Sequence, residues 1–199
     1  VGIDLKKTRV ADWLQTSRAN VSQVIGRMQN SGLVDFGENL KLTESGDCLA
    51  KIVIRRHRIT ERFLSEVLNL PWADVYKEAS KWENVLSPLT EKAMLEILGK
   101  PTTGPFGNPI PYSNYKEKKM YPIIDAKADN NYFIEKITEE LKRDNETISF
   151  LQNHDMTPGK KIKVADSGDY SITISTDDKK YFGIDKFLAK RVFVSSTNL

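Results

Sequence analysis

The stretch that most constrains this chain runs from Thr16 to Val34. Val21, Val24, Ile25 and Met28 recur at i, i+3, i+4 and i+7, the apolar stripe of a helix that docks through one face. The other face carries Arg18, Asn20, Ser22, Gln23 and Arg27, and no carboxylate occurs between Gln15 and Val34. A helix that merely meets water mixes both signs of charge, so this bias is informative. Guanidinium, amide and hydroxyl groups without acids suit the phosphates and base edges of a duplex. Gly32 stops the helix.

Upstream, Thr8 to Gln15 reads as a second short helix with Val10, Ala11 and Leu14 inward, and Thr16-Ser17-Arg18 as the turn between the two. That pair is a helix-turn-helix. Downstream, Leu33 to Phe36, the turn residues Gly37-Glu38-Asn39 and Leu40 to Leu42 alternate as a small hairpin. The whole is a winged helix over residues 1–45, whose second helix enters the major groove while the hairpin lies along the backbone. A unit of this kind has a further helix to cover Val10, Leu14 and Val24, so one is expected ahead of Val1.

A net charge of +3 over 199 residues does not by itself demand a polyanion, so any DNA contact has to come from this local arrangement. Cys48 is the single cysteine, which excludes an intrachain disulfide framework and fits a reducing interior. It reads as a small buried group on a helix. No apolar run approaches a membrane span and no secretory leader is evident, which points to a cytoplasmic protein with no membrane partner. With two histidines, His57 and His154, and no Gly-rich phosphate loop, nothing assembles a nucleophile, base and orienter, so the chain does not read as an enzyme.

After the hairpin, Thr43-Glu-Ser-Gly46 starts a long helix expected to reach about Leu70, with Leu49, Ile52, Val53, Arg56, Ile59, Phe63, Val67 and Leu68 on its periodic face. Trp72 to Leu86 and Leu89 to Leu98 follow as two more helices. Their apolar side chains exceed what one short bundle can hide, and the surplus suits the interface of a two-fold dimer reading a paired half-site. From Gly99 the chain is dense in Pro and Gly and then polar, read as an extended tail and linker. Short alternating strands at 131–137, 161–164, 170–174, 180–182 and 192–194, with a helix at 145–153, argue for a small barrel as a separate domain.

His57 and Glu61 sit four apart on one helical face. Tyr76, Ser80, Glu83 and Asn84 share a face of the next helix. Two polar faces opposed in an apolar bundle suit a metal site of oxygen and nitrogen donors, and equally a hydrogen-bonded pair or a surface couple.

Several blocks in order resemble one family: Val21-Ser-Gln23, Gly32-Leu-Val34, Arg56-His-Arg58 with Glu61-Arg62, Trp82-Glu83 and above all Phe106-Gly-Asn-Pro-Ile-Pro111. These are similar to the metal-dependent repressors of the diphtheria toxin repressor and iron-dependent regulator family, from about Lys7 to the C-terminus. The resemblance implies a mainly α fold with small β: a winged helix-turn-helix (1–45), a helical dimerisation and metal-binding domain (46–118), a linker (119–130) and an SH3-like barrel (131–199). It implies a homodimer that binds a palindromic operator in double-stranded DNA when Fe2+ or Mn2+ is bound. The DNA-facing positions carried over are Lys7, Arg9, Ser17, Ala19, Asn20, Ser22, Gln23 and Arg27, to which the helix face adds Arg18. Pro and Thr are common where this chain has Ala19 and Asn20, so the preferred operator is expected to differ.

The metal positions depart further. At the ancillary site of the family His57, Glu61 and Glu139 match, whereas Tyr76 and Lys142 replace ligands. At the primary site only Glu83 matches, with Ser80 and Asn84 where strong ligands are expected. A hydroxyl and an amide bind iron or manganese more weakly than a carboxylate and an imidazole. Lys142 is expected to place its ammonium between Glu61 and Glu139, in place of the ion, and to hold the SH3-like domain on the helices without metal. The expectation is a repressor of metal-ion homeostasis with an altered or weakened metal response. The alternative is a protein-interaction module using the winged helix and the SH3-like domain, with Pro101 to Pro111 as a proline-rich ligand.

Overall fold

The computed structural model describes residues 10–12, 14–36, 39–176 and 180–197. Lys7, Arg9 and the turn residues Gly37 and Glu38 lie outside them. The chain divides into two compact units, Val1–Val53 and Ile54–Leu199.

In the first unit, helix α1 (Arg18–Asn30) begins at Ser17, whose hydroxyl accepts from the Asn20 amide at 3.1 Å. A side-chain oxygen at this position satisfies one of the otherwise orphaned N–H groups of the first turn. The helix ends where Gly32 takes φ +67° and the Leu33 amide donates to the Met28 carbonyl, the left-handed stop that glycine allows. Val21 and Ile25 are buried with Ala11 and Val34, and Val10, Met28 and Leu40 pack on them. Leu14, expected inward, is 51% exposed, because the chain leaves helix there and Gln15 turns at φ 50°. Strands β1 (Val34–Phe36) and β2 (Leu40–Leu42) pair antiparallel, Val34 opposite Leu42. Thr43 clips the hairpin to the helix end, donating to the Gly32 carbonyl at 2.6 Å while accepting from the Gly46 amide at 3.0 Å. A Cβ at Gly46 would lie 1.8 Å from the Leu33 carbonyl oxygen, so only glycine fits where this helix crosses the hairpin. Cys48, read as buried, is exposed on the next helix, because two residues from buried Gly46 it points to the opposite side.

That helix, α2 (Glu44–Glu66), supplies the first residues of the second unit, followed by α3 (Trp72–Trp82) and α4 (Pro88–Ile97). Then come β3 (Tyr121–Pro122), a 3-10 turn (Ile123–Asp125), β4 (Asn130–Ile137) and a second 3-10 turn (Glu139–Arg143). The remaining elements are α5 (Asn145–Asn153), β5 (Lys161–Ser167), β6 (Ser171–Ser175), β7 (Tyr181–Asp185), α6 (Lys186–Ala189) and β8 (Val192–Ser196). The strands form one six-stranded antiparallel sheet in the order β3-β8-β4-β5-β6-β7. Alternation places Ile134, Ile162, Val164, Ile172, Ile174, Val192 and Val194 on its buried side. The same cluster takes in Leu64 of α2 and Val75 and Ala79 of α3, so sheet and helices share one apolar core. A smaller cluster joins Ile59, Leu86, Met94 and Ile110.

The Pro- and Gly-rich stretch expected to trail as a linker is instead a packed loop. Phe106 and Ile110 are buried, and the Asn108 amide donates to the Ile137 carbonyl at 2.8 Å. Three arginines on one side of α2 bind its carbonyls: Arg55 to Pro111 at 2.8 Å, Arg58 to Pro109 and Arg62 to Thr103 at 2.7 Å. Charged donors satisfy backbone acceptors that prolines leave without regular partners. Gly107 has φ +78° and would place a Cβ 1.9 Å from the Glu135 carbonyl oxygen. Gly107→Ala should therefore lower the unfolding free energy measured by urea titration by about 2 kcal/mol or more, beyond the ordinary surface substitution. Gly159→Ala, also at positive φ but with open space around it, should cost clearly less, and equal losses would contradict this packing.

Candidate functional site

On α1, Arg18, Ala19, Asn20, Ser22, Gln23 and Arg27 are all exposed, and the first turn contains no acid. The fold explains this by burying Val21 and Ile25 on the other side. Two of the residues already have structural work: Ser17 caps the helix, and Asn20 Nδ2 donates to Thr16 Oγ1 at 2.9 Å. Arg18, Ser22, Gln23 and Arg27 are left as the outward polar set.

The second candidate lies inside the Ile54–Leu199 unit. Helix α2 carries His57, Arg58 and Glu61 on neighbouring turns, and Glu83 forms the C-cap of α3. The 139–143 turn, with three residues per turn, stacks Glu139 and Lys142 on one edge. Lys142 Nζ donates to both oxygens of Glu61 at 2.9 Å and lies 2.9 Å from Glu139 Oε2. Arg58 donates to the other oxygen of Glu139 at 2.9 Å. His57 Nδ1 is 2.6 Å from Glu83 Oε2, and its Nε2 is 3.3 Å from Glu61 Oε1, an ion-pair distance rather than an aligned hydrogen bond. The Tyr76 ring meets the imidazole edge-on, centroids 5.0 Å apart. The side chains of Lys142 and Glu61 are fully buried, and the ammonium sits 4.7 Å from the centre of the Phe106 ring.

Burial alone would expel these charges, since each costs several kcal/mol to dehydrate. The geometry answers that cost: each Glu61 oxygen has a donor and the ammonium has three oxygens. Burial also disfavours ionised Glu139, yet Lys142 first and Arg58 second hold its carboxyl below the ordinary range. Burial pulls His57 down, but Glu61 and then Glu83 outweigh it and the opposing charge of Lys142, so the imidazole ends above its usual 6.5.

Of the residues singled out as metal ligands, the structure joins Glu61 and Glu139 at the Lys142 ammonium, and His57 reaches this pair through Glu61. Glu83, which the resemblance assigns elsewhere, bonds His57 instead. Ser80 Oγ donates to the Tyr76 carbonyl at 3.0 Å, a bond within its own helix. Helix α3, expected to reach Leu86, stops at Trp82, so Asn84 falls in an exposed turn. Among the described residues no group of three or more His, Cys, Asp or Glu side chains is arranged to hold a metal ion. The donors present therefore do not fit a divalent cation as they stand. Sequence reasoning missed Arg58 and the link from His57 to Glu83. The signal for the first was the Arg55, Arg58, Arg62 spacing of one helical stripe.

Residues 43–112 match the family model described as iron dependent repressor, metal binding and dimerisation domain. The chain is 32% identical over 186 residues to the iron-dependent repressor IdeR of Mycobacterium tuberculosis, covering 87% of this chain and 81% of that protein. It is 31% identical over 195 residues to the diphtheria toxin repressor of Corynebacterium diphtheriae, covering 92% and 86%. Among solved structures, a manganese-dependent transcriptional repressor in complex with manganese superposes with a TM-score of 0.86 at 22% identity, over 98% of this chain and 92% of that one. IdeR of T. acidophilum gives 0.76 at 24% identity, over 96% and 89%. At these identities the two structures speak to the fold.

A histidine whose folded pKa is raised contributes stability in full below its ordinary 6.5, and that stability is lost as pH rises through the folded value. Between about pH 6 and pH 9 the wild type should lose more stability to urea than His57→Gln does. Parallel curves would show that protonation of His57 is not coupled to this cluster.

Proposed function

Because the chain belongs to the iron-dependent and diphtheria toxin repressor family, we propose that it represses transcription by binding a palindromic operator as a homodimer, within divalent-metal homeostasis and with a weakened or absent response to Fe2+ or Mn2+. The relatives it matches are repressors, and it is no enzyme. In this reading residues 1–45 are a winged helix, 46–118 the dimerisation part and 131–199 an SH3-like module. The observation that carries the DNA half is the exposed, acid-free face of α1, with Arg18 and Arg27 for phosphates, Gln23 and Ser22 for base edges, and Asn20 joining them once its bond to Thr16 is exchanged. Lys7 and Arg9 belong to the same surface in this reading. Dimerisation is supported by apolar side chains turned outward from α4 and the turn before it: Leu89 and Val85 at 79% exposure and Ile97 at 63%. No helix among the described residues is long and apolar enough to cross a membrane, and we place the protein in the cytoplasm with the DNA.

The metal half rests on the donor set. Iron and manganese are held most strongly by anionic or imidazole ligands, and here His57, Glu61, Glu83 and Glu139 are already paired with one another or with Lys142 and Arg58. The interaction-module alternative is not favoured, since Pro101 to Pro111 is held against α2 by arginines rather than displayed.

Operator fragments selected from genomic DNA provide the test. Fluorescence anisotropy should show affinity falling steeply with salt, and Arg27→Ala weakening binding about tenfold on every sequence while flattening the salt slope by about one. Insensitivity to both would remove DNA as the partner. With the same DNA, chelator and added Mn2+ should give affinities within about threefold of each other, less than 1 kcal/mol. Loss of binding in chelator would contradict the weakened response.

A further inference from the structure

We propose that Lys142 is the resident cation of the buried cluster: its ε-ammonium takes the place of a divalent ion between Glu61 and Glu139, fastens the 139–143 turn to α2 whatever the metal concentration, and closes the His57, Glu61 and Glu139 donors to metal. This deepens the reading above and rests on it.

Three observations support the assignment. The ammonium has three carboxylate oxygens at 2.9 Å, two from Glu61 and one from Glu139, which uses all its protons. Two permanent cations, Lys142 and Arg58, face Glu61 and Glu139, so the charge of these two carboxylates is already balanced. A divalent ion entering here would stand beside the undischarged ammonium of a fully buried lysine, where like charges repel more strongly than in water. Finally, the lysine is kept from swinging aside. Its side chain is fully buried, with the ammonium over the Phe106 ring and 5.9 Å from the centre of Tyr76.

The contrast with a bound ion is one of linkage. An exchangeable ion stabilises the state that binds it in proportion to its concentration, so the latch it forms reports that concentration. A cation covalently part of the chain has no concentration to report. The contact between α2 and the turn is then as permanent as the fold.

The chain has two histidines, so its imidazole ring protons offer a direct readout, with His154 as the internal control. In a titration with paramagnetic Mn2+, the His57 resonances of the wild type should stay no broader than those of His154, and chelator should leave its melting temperature unchanged. In Lys142→Gln the His57 resonances should broaden at near-equimolar Mn2+, and Mn2+ should raise the melting temperature of that variant. Adding Glu139→Gln to it should weaken the uptake at least about tenfold, or 1.4 kcal/mol. Selective broadening of His57 in the wild type overturns the assignment, as does a folded Lys142→Gln that leaves His57 sharp. Should Lys142→Gln fail to fold, the wild-type titration decides alone, sharp lines supporting the assignment and broad ones overturning it. If wild-type operator binding followed Mn2+ while His57 stayed sharp, the weakened metal response would fall and the assignment of Lys142 would stand.

Discussion

A fully buried carboxylate and a half-buried one brought side by side repel each other unless a cation lies between them, and that requirement fixes how α2 meets the 139–143 turn. Glu61 comes from a long helix and Glu139 from a turn far along the chain, and Lys142 joins them at hydrogen-bond distance. Removing one partner of such a buried pair costs about 3–5 kcal/mol, because the other charge is stranded. The cluster then spreads outward. Arg58 holds both Glu139 and the Pro109 carbonyl, and His57 ties Glu61 to the end of α3 through Glu83. Apolar packing of Leu64, Val75 and Ala79 against the sheet supplies the bulk of the cohesion. The ionic contacts set which residues of α2 face the turn.

That arrangement bears on function through what it leaves available. A metal-responsive switch needs donors that are unsatisfied without the ion, so that binding shifts an equilibrium between two states. Here the donors are satisfied by the chain itself. Helix α1 of the first unit owes its own shape to local contacts: its cap is Ser17, its stop is Gly32 and its clip is Thr43. In the proposed reading, the exposed polar face of that helix is available to DNA whether or not iron or manganese is present, because the candidate metal donors are already paired within the chain.

Local pattern revealed much of this fold. The stripe of Val21, Ile25 and Met28, the alternation around β1 and β2 and the strands from Asn130 onward are short-range signals, and the elements lie within a few residues of where they point. The loop from Thr102 to Pro111 was not legible, since Pro and Gly composition describes backbone freedom and says nothing of the arginines on α2 that bind its carbonyls. Cys48 and Leu14 were misjudged because periodicity finds an apolar face without saying where a helix stops or what passes beside it. At the candidate site, spacing placed His57 and Glu61 together, and the resemblance added Glu139 and Lys142. The pairing of His57 with Glu83 depends on α3 ending at Trp82, a tertiary outcome that no spacing encodes.

The central claim is that a lysine stands where a metal ion would. Diffraction from crystals grown with excess Mn2+, with data collected near the manganese absorption edge, addresses it at the atoms concerned. The expected result is no anomalous peak within bonding distance of Glu61, Glu139 or His57, with Lys142 density ordered to Nζ and the ammonium at hydrogen-bond distance from both carboxylates. A manganese peak bridging Glu61 and Glu139, with the lysine turned away, would contradict it.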